Sequence, residues 1–227
     1  LSFGPTVLLL ALWAAAVHSA CAAKPQFMTY LIFASLLWLV SRADETPKIL
    51  LLMPIICLVW GWLHRGGILG LAVLLAVGIT WAMQPERRRH LPLWAGVFLL
   101  SGLALTLNPG GIDYLVSAVD LAARHSFQSH LVDWRPASFD GVVARHPTLF
   151  GLILLWCFGL FIKGKRIDAG LLISIGVAAL ALRSIRFVPF LAVALIPNAS
   201  IGLGRIFDGA QTRIRPVLLH SFGVVLG

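Results

Sequence analysis

A chain of 227 residues that is 59% hydrophobic and only 12% charged, with a mean hydropathy of +0.91, departs far from the soluble balance of about 45–50% apolar and about 25% charged residues. That balance argues against a solvated enzyme domain. The net charge of +9 does not point to nucleic acid either, because the basic residues sit in short connections between apolar runs and no basic tract is long enough to follow a phosphate backbone.

Eight apolar runs follow one another: Thr6–Ala23, Gln26–Val40, Ile49–Leu63, Gly67–Met83, Leu91–Leu107, Leu149–Ile162, Gly170–Leu182 and Phe187–Gly202. The pattern predicts an all-α, polytopic transmembrane helical bundle of about eight spans in a single domain over residues 1–227. Several runs fall short of the roughly 20 residues that a perpendicular span needs and must borrow their polar flanks. The chain starts at Leu1, and Leu218–Gly227 reads as the opening of another apolar run, so a piece of a longer protein is expected. Cys21, Cys57 and Cys157 lie inside apolar runs with no CxxC pairing, which predicts neither a disulfide nor a metal site.

Alternate connections differ in basic content. One set carries eleven Lys and Arg, including the clusters Arg87–Arg89 and Lys163–Arg166, and the other carries seven. The positive-inside rule places the first set, and the N-terminus of the chain, in the cytoplasm. All nine carboxylates fall in connections, where ion-coupled transport, which uses acidic groups at membrane depth, has no use for them. The longest connection, 108–148, leaves its span through Asn108-Pro109-Gly110-Gly111 and continues as Ile112, Leu115, Val116 and Val119 at near-helical spacing, which predicts an extracytoplasmic helix lying at the interface.

Five polar motifs share the outer side: Lys24-Pro25-Gln26, His64-Arg65-Gly66-Gly67, Asn108-Pro109-Gly110-Gly111, Asp133-Trp134-Arg135-Pro136 and Arg183-Ser184-Ile185-Arg186. Together they predict a cationic cleft in which Lys24, Gln26, Arg65, Arg183 and Arg186 bind an anionic lipid head group, since arginine offers a planar fork of donors to phosphate oxygens. His64 is placed to protonate or hydrogen-bond a phosphate, and Asp133 is the carboxylate of most interest. Lys24 and Arg186 equally suit snorkelling anchors, and Asp133 equally suits an ion pair with Arg135 or Arg124. Gly66, Gly67, Asn108, Pro109 and Gly110 read as turn residues. His125, His130 and His146 match no strong zinc spacing, and no metal site is expected.

On these motifs the chain resembles a family of bacterial membrane proteins related to the polyprenyl-phosphate-dependent glycosyltransferases of the GT-C type. The resemblance runs through Lys24-Pro25-Gln26-Phe27, Trp60-Gly61-Trp62-Leu63-His64-Arg65-Gly66-Gly67, Leu107-Asn108-Pro109-Gly110, Asp133-Trp134-Arg135-Pro136 and Arg186-Phe187-Val188-Pro189. Lys24 stands where the family commonly has Arg, Trp62 where it has Asn, Arg65 where it has Gly, and Asp133 where it has Glu. The resemblance implies a protein of the bacterial inner (plasma) membrane that transfers a sugar from a polyprenyl-phosphate donor on the extracytoplasmic face. In that scheme Lys24, Arg65 and Arg186 hold phosphate, His64 assists its departure and Asp133 orients a hydroxyl. It also implies that the family's essential Asp loop lies upstream of Leu1, so a non-catalytic scaffold subunit of a membrane complex stays open as the alternative, with solute transport third. The expected partners are membrane lipid, the lipid-linked sugar and other membrane proteins, with no nucleic acid. No cofactor is expected within this chain, and a divalent metal in the longer protein is left open.

Overall fold

Proline stands in the first turn of four of the seven described α-helices. Lacking an N–H and fixed near the helical φ, it suits the first turn, where the N–H would have no partner in any case. The computed structural model describes the backbone of residues 26–117, 147–163 and 167–225, and the side chains of 28–117, 148–162 and 167–207. Within these, α1 spans Gln26–Ala43, α2 Met53–Leu63, α3 Ile68–Met83, α4 Leu91–Thr106, α5 Pro147–Lys163, α6 Ala169–Arg183 and α7 Val188–Val225. Pro54 and Pro92 sit in the first turns of α2 and α4. Pro47 and Pro85 likewise open 3-10 turns over Pro47–Leu52 and Pro85–His90. The described residues are helical and contain no strand.

Two sequence expectations are corrected. The run Ile49–Leu63 is not one helix: it is the Pro47–Leu52 3-10 turn followed by α2. Pro54 has no N–H to offer the Leu50 carbonyl, which the Met53 N–H takes instead in the tighter pattern. The run ending at Gly202 does not end its helix, because α7 continues to Val225 through Arg205, Arg213 and Arg215, which hydropathy alone places in a connection. Loss of hydrophobicity is not by itself a helix stop, and the arginines that cause it are good helix formers. The run Thr6–Ala23 and most of the 108–148 connection lie outside the described residues. Of that connection, 113–117 forms one helical turn, reached through Gly111 at φ +54°.

The core is built mainly by α1, α3, α6 and α7. Phe190 of α7 meets Tyr30 and Phe33 of α1 edge-on, with centroids 5.0 and 5.3 Å apart, the geometry that the ring quadrupoles favour. Trp60 and Trp81 are wholly enclosed. Helices α5 and α7 cross where two glycines meet. A Cβ on Gly202 would lie 2.5 Å from the Leu155 carbonyl oxygen and 3.1 Å from the Gly159 nitrogen, and one on Gly159 would run into the Asn198 carbonyl. The backbones therefore touch directly, as small-residue crossings permit.

Helix alternation gives the bundle two polar ends. One gathers Thr29, His64, Arg65, Asn108, Tyr114 and Arg186. The other gathers Asp44, Trp81, Gln84, Arg87 and Asp168. Two apolar segments, Arg65–Met83 and Ile185–Phe207, are long enough to cross a membrane, and Met28–Ala43, Pro47–Leu63, Thr148–Ile162 and Ala169–Arg183 are shorter apolar helices.

Gly202→Val should lower the melting temperature sharply. Overpacking usually costs about 1–3 kcal/mol, and here the obstacle is backbone, which cannot rotate away. Gly96→Ala in α4, where nothing lies within 4 Å of the added carbon, should leave the melting temperature unchanged or raise it, by up to about 1 kcal/mol of helix propensity.

Candidate functional site

The chain enters α3 and α7 in the same way. An extended residue, His64 (φ −163°, ψ 146°) or Ser184 (φ −152°, ψ 129°), is followed by one 3-10 turn, Arg65–Gly67 or Ile185–Phe187, and then by the helix. These paired turns lie side by side, which brings Arg186 Nη2 to 3.1 Å from His64 Nε2.

The His64 ring is fixed by its own turn. Its Nδ1 accepts the Gly66 N–H at 2.9 Å, so the proton of the neutral imidazole belongs on Nε2, a tautomer assigned from the hydrogen-bond pattern. Nε2 then carries a donor aimed at a second donor, the Arg186 guanidinium, which has no acceptor to offer. Two converging donors are complementary to an acceptor placed between them. Burial, and after it the positive charge of Arg186, holds the His64 pKa below its ordinary 6.5. The imidazole is thus neutral at pH 7 and serves as a hydrogen-bond donor.

Tyr114 ties this turn to the 108–114 turn. Its hydroxyl accepts the Gly67 N–H at 3.1 Å and donates to the His64 carbonyl at 2.9 Å. Burial pushes the phenol up to about 12, which keeps it a neutral donor. Glycine at 67 is a matter of room, since a Cβ would lie 2.7 Å from the Tyr114 oxygen and 2.8 Å from Leu105. Gly66 is crowded by His64 and Thr29, each 3.0 Å from a Cβ there. Beneath the turn, Trp60 donates to Thr29 at 3.4 Å between two buried side chains. Asn108 folds the other turn by donating to the Leu105 carbonyl and accepting the Gly110 N–H at 2.7 Å. Between the two turns opens a cleft of about 370 Å³, with His64, Arg65, Asn108, Asp113, Tyr114 and Ser117 on its walls.

Among the expected site residues, His64, Arg65, Gly66, Gly67, Asn108, Gly110 and Arg186 thus share one end of the bundle. Pro109 is exposed in the Asn108 turn, and Arg183 is exposed in the last turn of α6, just before Ser184. Gln26 begins α1, and its side chain, like Lys24 and Asp133, lies outside the described residues. So do His125, His130 and His146, and among the described residues no three metal-ligating side chains come together. Thr29, Trp60 and Tyr114 were not anticipated. The chain has 13 Phe and only two Tyr, so a tyrosine beside a glycine turn is itself a sign that a hydroxyl is needed there.

No protein-family model, curated protein or solved structure matches the chain.

Tyr114→Phe should lower stability by about 2 kcal/mol, because it leaves a buried N–H and a carbonyl without a partner; thermal melting in detergent measures this. The His64 titration gives a second expectation. Between the folded value and 6.5 the unfolded chain binds a proton that the folded chain refuses. Stability from this group is therefore complete above about 6.5 and is lost as pH falls through the folded value. Imidazole NMR should show a midpoint below 6.5 that Arg186→Gln raises only in part, since burial is the larger cause.

Proposed function

We propose that the chain is an integral membrane protein that holds the phosphate of a lipid-linked sugar at its His64–Arg186 end and serves sugar transfer from a polyprenyl-phosphate donor. The bilayer part of this proposal draws on the two long apolar segments and the four shorter ones. It also draws on outward-facing apolar side chains: Leu154 and Leu182 are each 70% exposed and Phe161 84%. Water would penalise such a surface and hydrocarbon accepts it. Eight spans in the inner membrane of a bacterium, with a cytoplasmic N-terminus, are part of the same proposal.

The observation that carries the phosphate assignment is the convergence of Arg186 Nη2 and His64 Nε2. A phosphate oxygen between them would accept from both and turn a repulsive contact into two charge-assisted hydrogen bonds. In transfer, the acceptor hydroxyl oxygen bonds to the sugar's anomeric carbon as the bond from that carbon to the phosphate oxygen breaks; negative charge grows on the departing phosphate, which takes up the hydroxyl proton. Fixed donors already aimed at that charge provide the main electrostatic assistance. With its lowered pKa, His64 serves by hydrogen bonding and not by giving up a proton. Arg65 and Arg183 add positive charge around the same end, and Asp133 is assigned to orient a hydroxyl.

In full-length protein reconstituted with a polyprenyl-phosphate sugar, His64→Ala and Arg186→Ala should each lower transfer about 10²–10³-fold, the usual effect of removing one preorganised donor. His64→Asn, which keeps a donor, should retain more activity than His64→Ala. Wild-type rates in both alanine variants would sink the assignment.

A further inference from the structure

The cleft beside the His64–Arg186 pair has walls of both signs. It opens between the 64–67 and 108–114 turns with a volume of about 370 Å³, toward the low end of the roughly 300–1,000 Å³ of small-molecule sites. Some of its polar groups are already engaged. Tyr114 uses its hydroxyl on the Gly67 N–H and the His64 carbonyl. Asn108 gives one amide N–H to the Leu105 carbonyl and accepts the Gly110 N–H, which leaves its second N–H. Ser117 donates to the Tyr114 carbonyl at 3.1 Å, which leaves its oxygen lone pairs.

Arg65 and Asp113 are the independent observation. Both line the cleft, and neither has an ion pair or a hydrogen bond among the described residues. Two opposite charges thus share one small cleft without meeting. Trp62, in the last turn of α2, adds an aromatic face to the same lining. The cleft offers a guanidinium fork, a carboxylate, an amide N–H and hydroxyl lone pairs, which is donor and acceptor together. The pair of Arg186 and His64 offers donors alone. A phosphate accepts at every oxygen and suits that pair, whereas in the cleft it would face Asp113. A sugar hydroxyl both donates and accepts, and suits the cleft.

We infer that this cleft seats the sugar of the lipid-linked donor and selects an uncharged ring, with Asp113 accepting from its hydroxyls and Arg65 donating to them. His64 belongs both to the pair and to the cleft wall, so a ring joined to a phosphate held at the pair lies at the mouth of the cleft. A ring bearing a carboxylate would gain Arg65 but oppose Asp113. The inference rests on the phosphate reading of the His64–Arg186 pair and adds to it the residues that read the sugar.

The test compares three diesters of one polyprenyl phosphate, the glucosyl, the glucuronosyl and the methyl ester, binding to full-length protein in nanodiscs, with Kd taken from titrations read by native mass spectrometry. The methyl ester has the same single phosphate charge and no ring. The glucosyl ester should bind about tenfold more tightly than either of the others, the discrimination expected of one hydrogen bond to a charged group. Asp113→Ala removes no hydrogen bond seen among the described residues. It should take away most of the glucosyl advantage, leave the methyl ester bound as before, and reverse the order of the glucosyl and glucuronosyl esters. Arg186→Ala should weaken all three by a similar factor. Equal binding of the glucosyl and methyl esters, a glucuronosyl ester bound as tightly as the glucosyl one, or an order unchanged in Asp113→Ala overturns the inference and leaves the phosphate reading intact. Methyl ester binding that Arg186→Ala and His64→Ala both leave unchanged overturns the phosphate reading, and this inference with it. The comparison of the three esters on the wild-type chain needs no mutation, so it stands even if a variant misfolds.

Discussion

Helices that are apolar inside and out leave polar groups only one place to go, the two ends of the bundle, and there each turn must satisfy its own backbone. The structure meets that demand with side chains of the turns themselves. His64 accepts the Gly66 N–H, Asn108 the Gly110 N–H and Asp168 the Leu171 N–H. An unpaired buried backbone group costs about 1–3 kcal/mol, so the polar side chains at these positions are first of all structural. Their chemistry follows from what each has left over after capping. His64 has a single N–H remaining, on Nε2, and Ser41, Thr80 and Gln84 have lone pairs to offer.

Glycine decides how closely these parts approach. At the α5–α7 crossing, Gly159 and Gly202 let two backbones touch, which holds α7 against its neighbours and with it the Arg186 turn that precedes α7. At Gly67 the missing side chain is the space that the Tyr114 hydroxyl occupies. Among the described glycines only Gly111 is used for its conformation, at φ +54°. At Gly67 and Gly202 glycine supplies room, so almost any side chain there would move a helix and not merely a loop.

Much of this frame was legible in the sequence. The apolar runs located α1, α3, α4, α5 and α6 to within a few residues, and alternation of the connections suffices to put His64, Asn108 and Arg186 at one end. What escaped has identifiable physical causes. Hydropathy is blind to the difference between 3-10 and α geometry, so the break at Pro47–Leu52 looks like span. It also falls at Gly202, where the helix itself continues, so α7 is cut short. Tyr114 is missed because a long-range hydrogen bond across 47 residues leaves no local periodicity. Asn198 is missed as a core residue because it sits inside an apolar run, where a lone amide reads as tolerated and its burial leaves no sign.

What each turn leaves over follows from the direction of its capping hydrogen bonds. At the His64 end the acceptors of the turns are consumed: Nδ1 by Gly66, the His64 carbonyl by Tyr114, and Asn108 Oδ1 by Gly110. The Nε2 donor of His64 and the Arg186 guanidinium remain, with the Asp113 carboxylate on the cleft wall. At the Asp168 end Ser41, Thr80 and Gln84 each give one donor to the carbonyls of Trp38, Val77 and Ile167. In a low-dielectric interior an unmatched donor or acceptor costs more than in water, so what the caps leave over matters at each end. The described bundle keeps these charged groups at its helix ends, where the caps decide which donors and acceptors each turn leaves over.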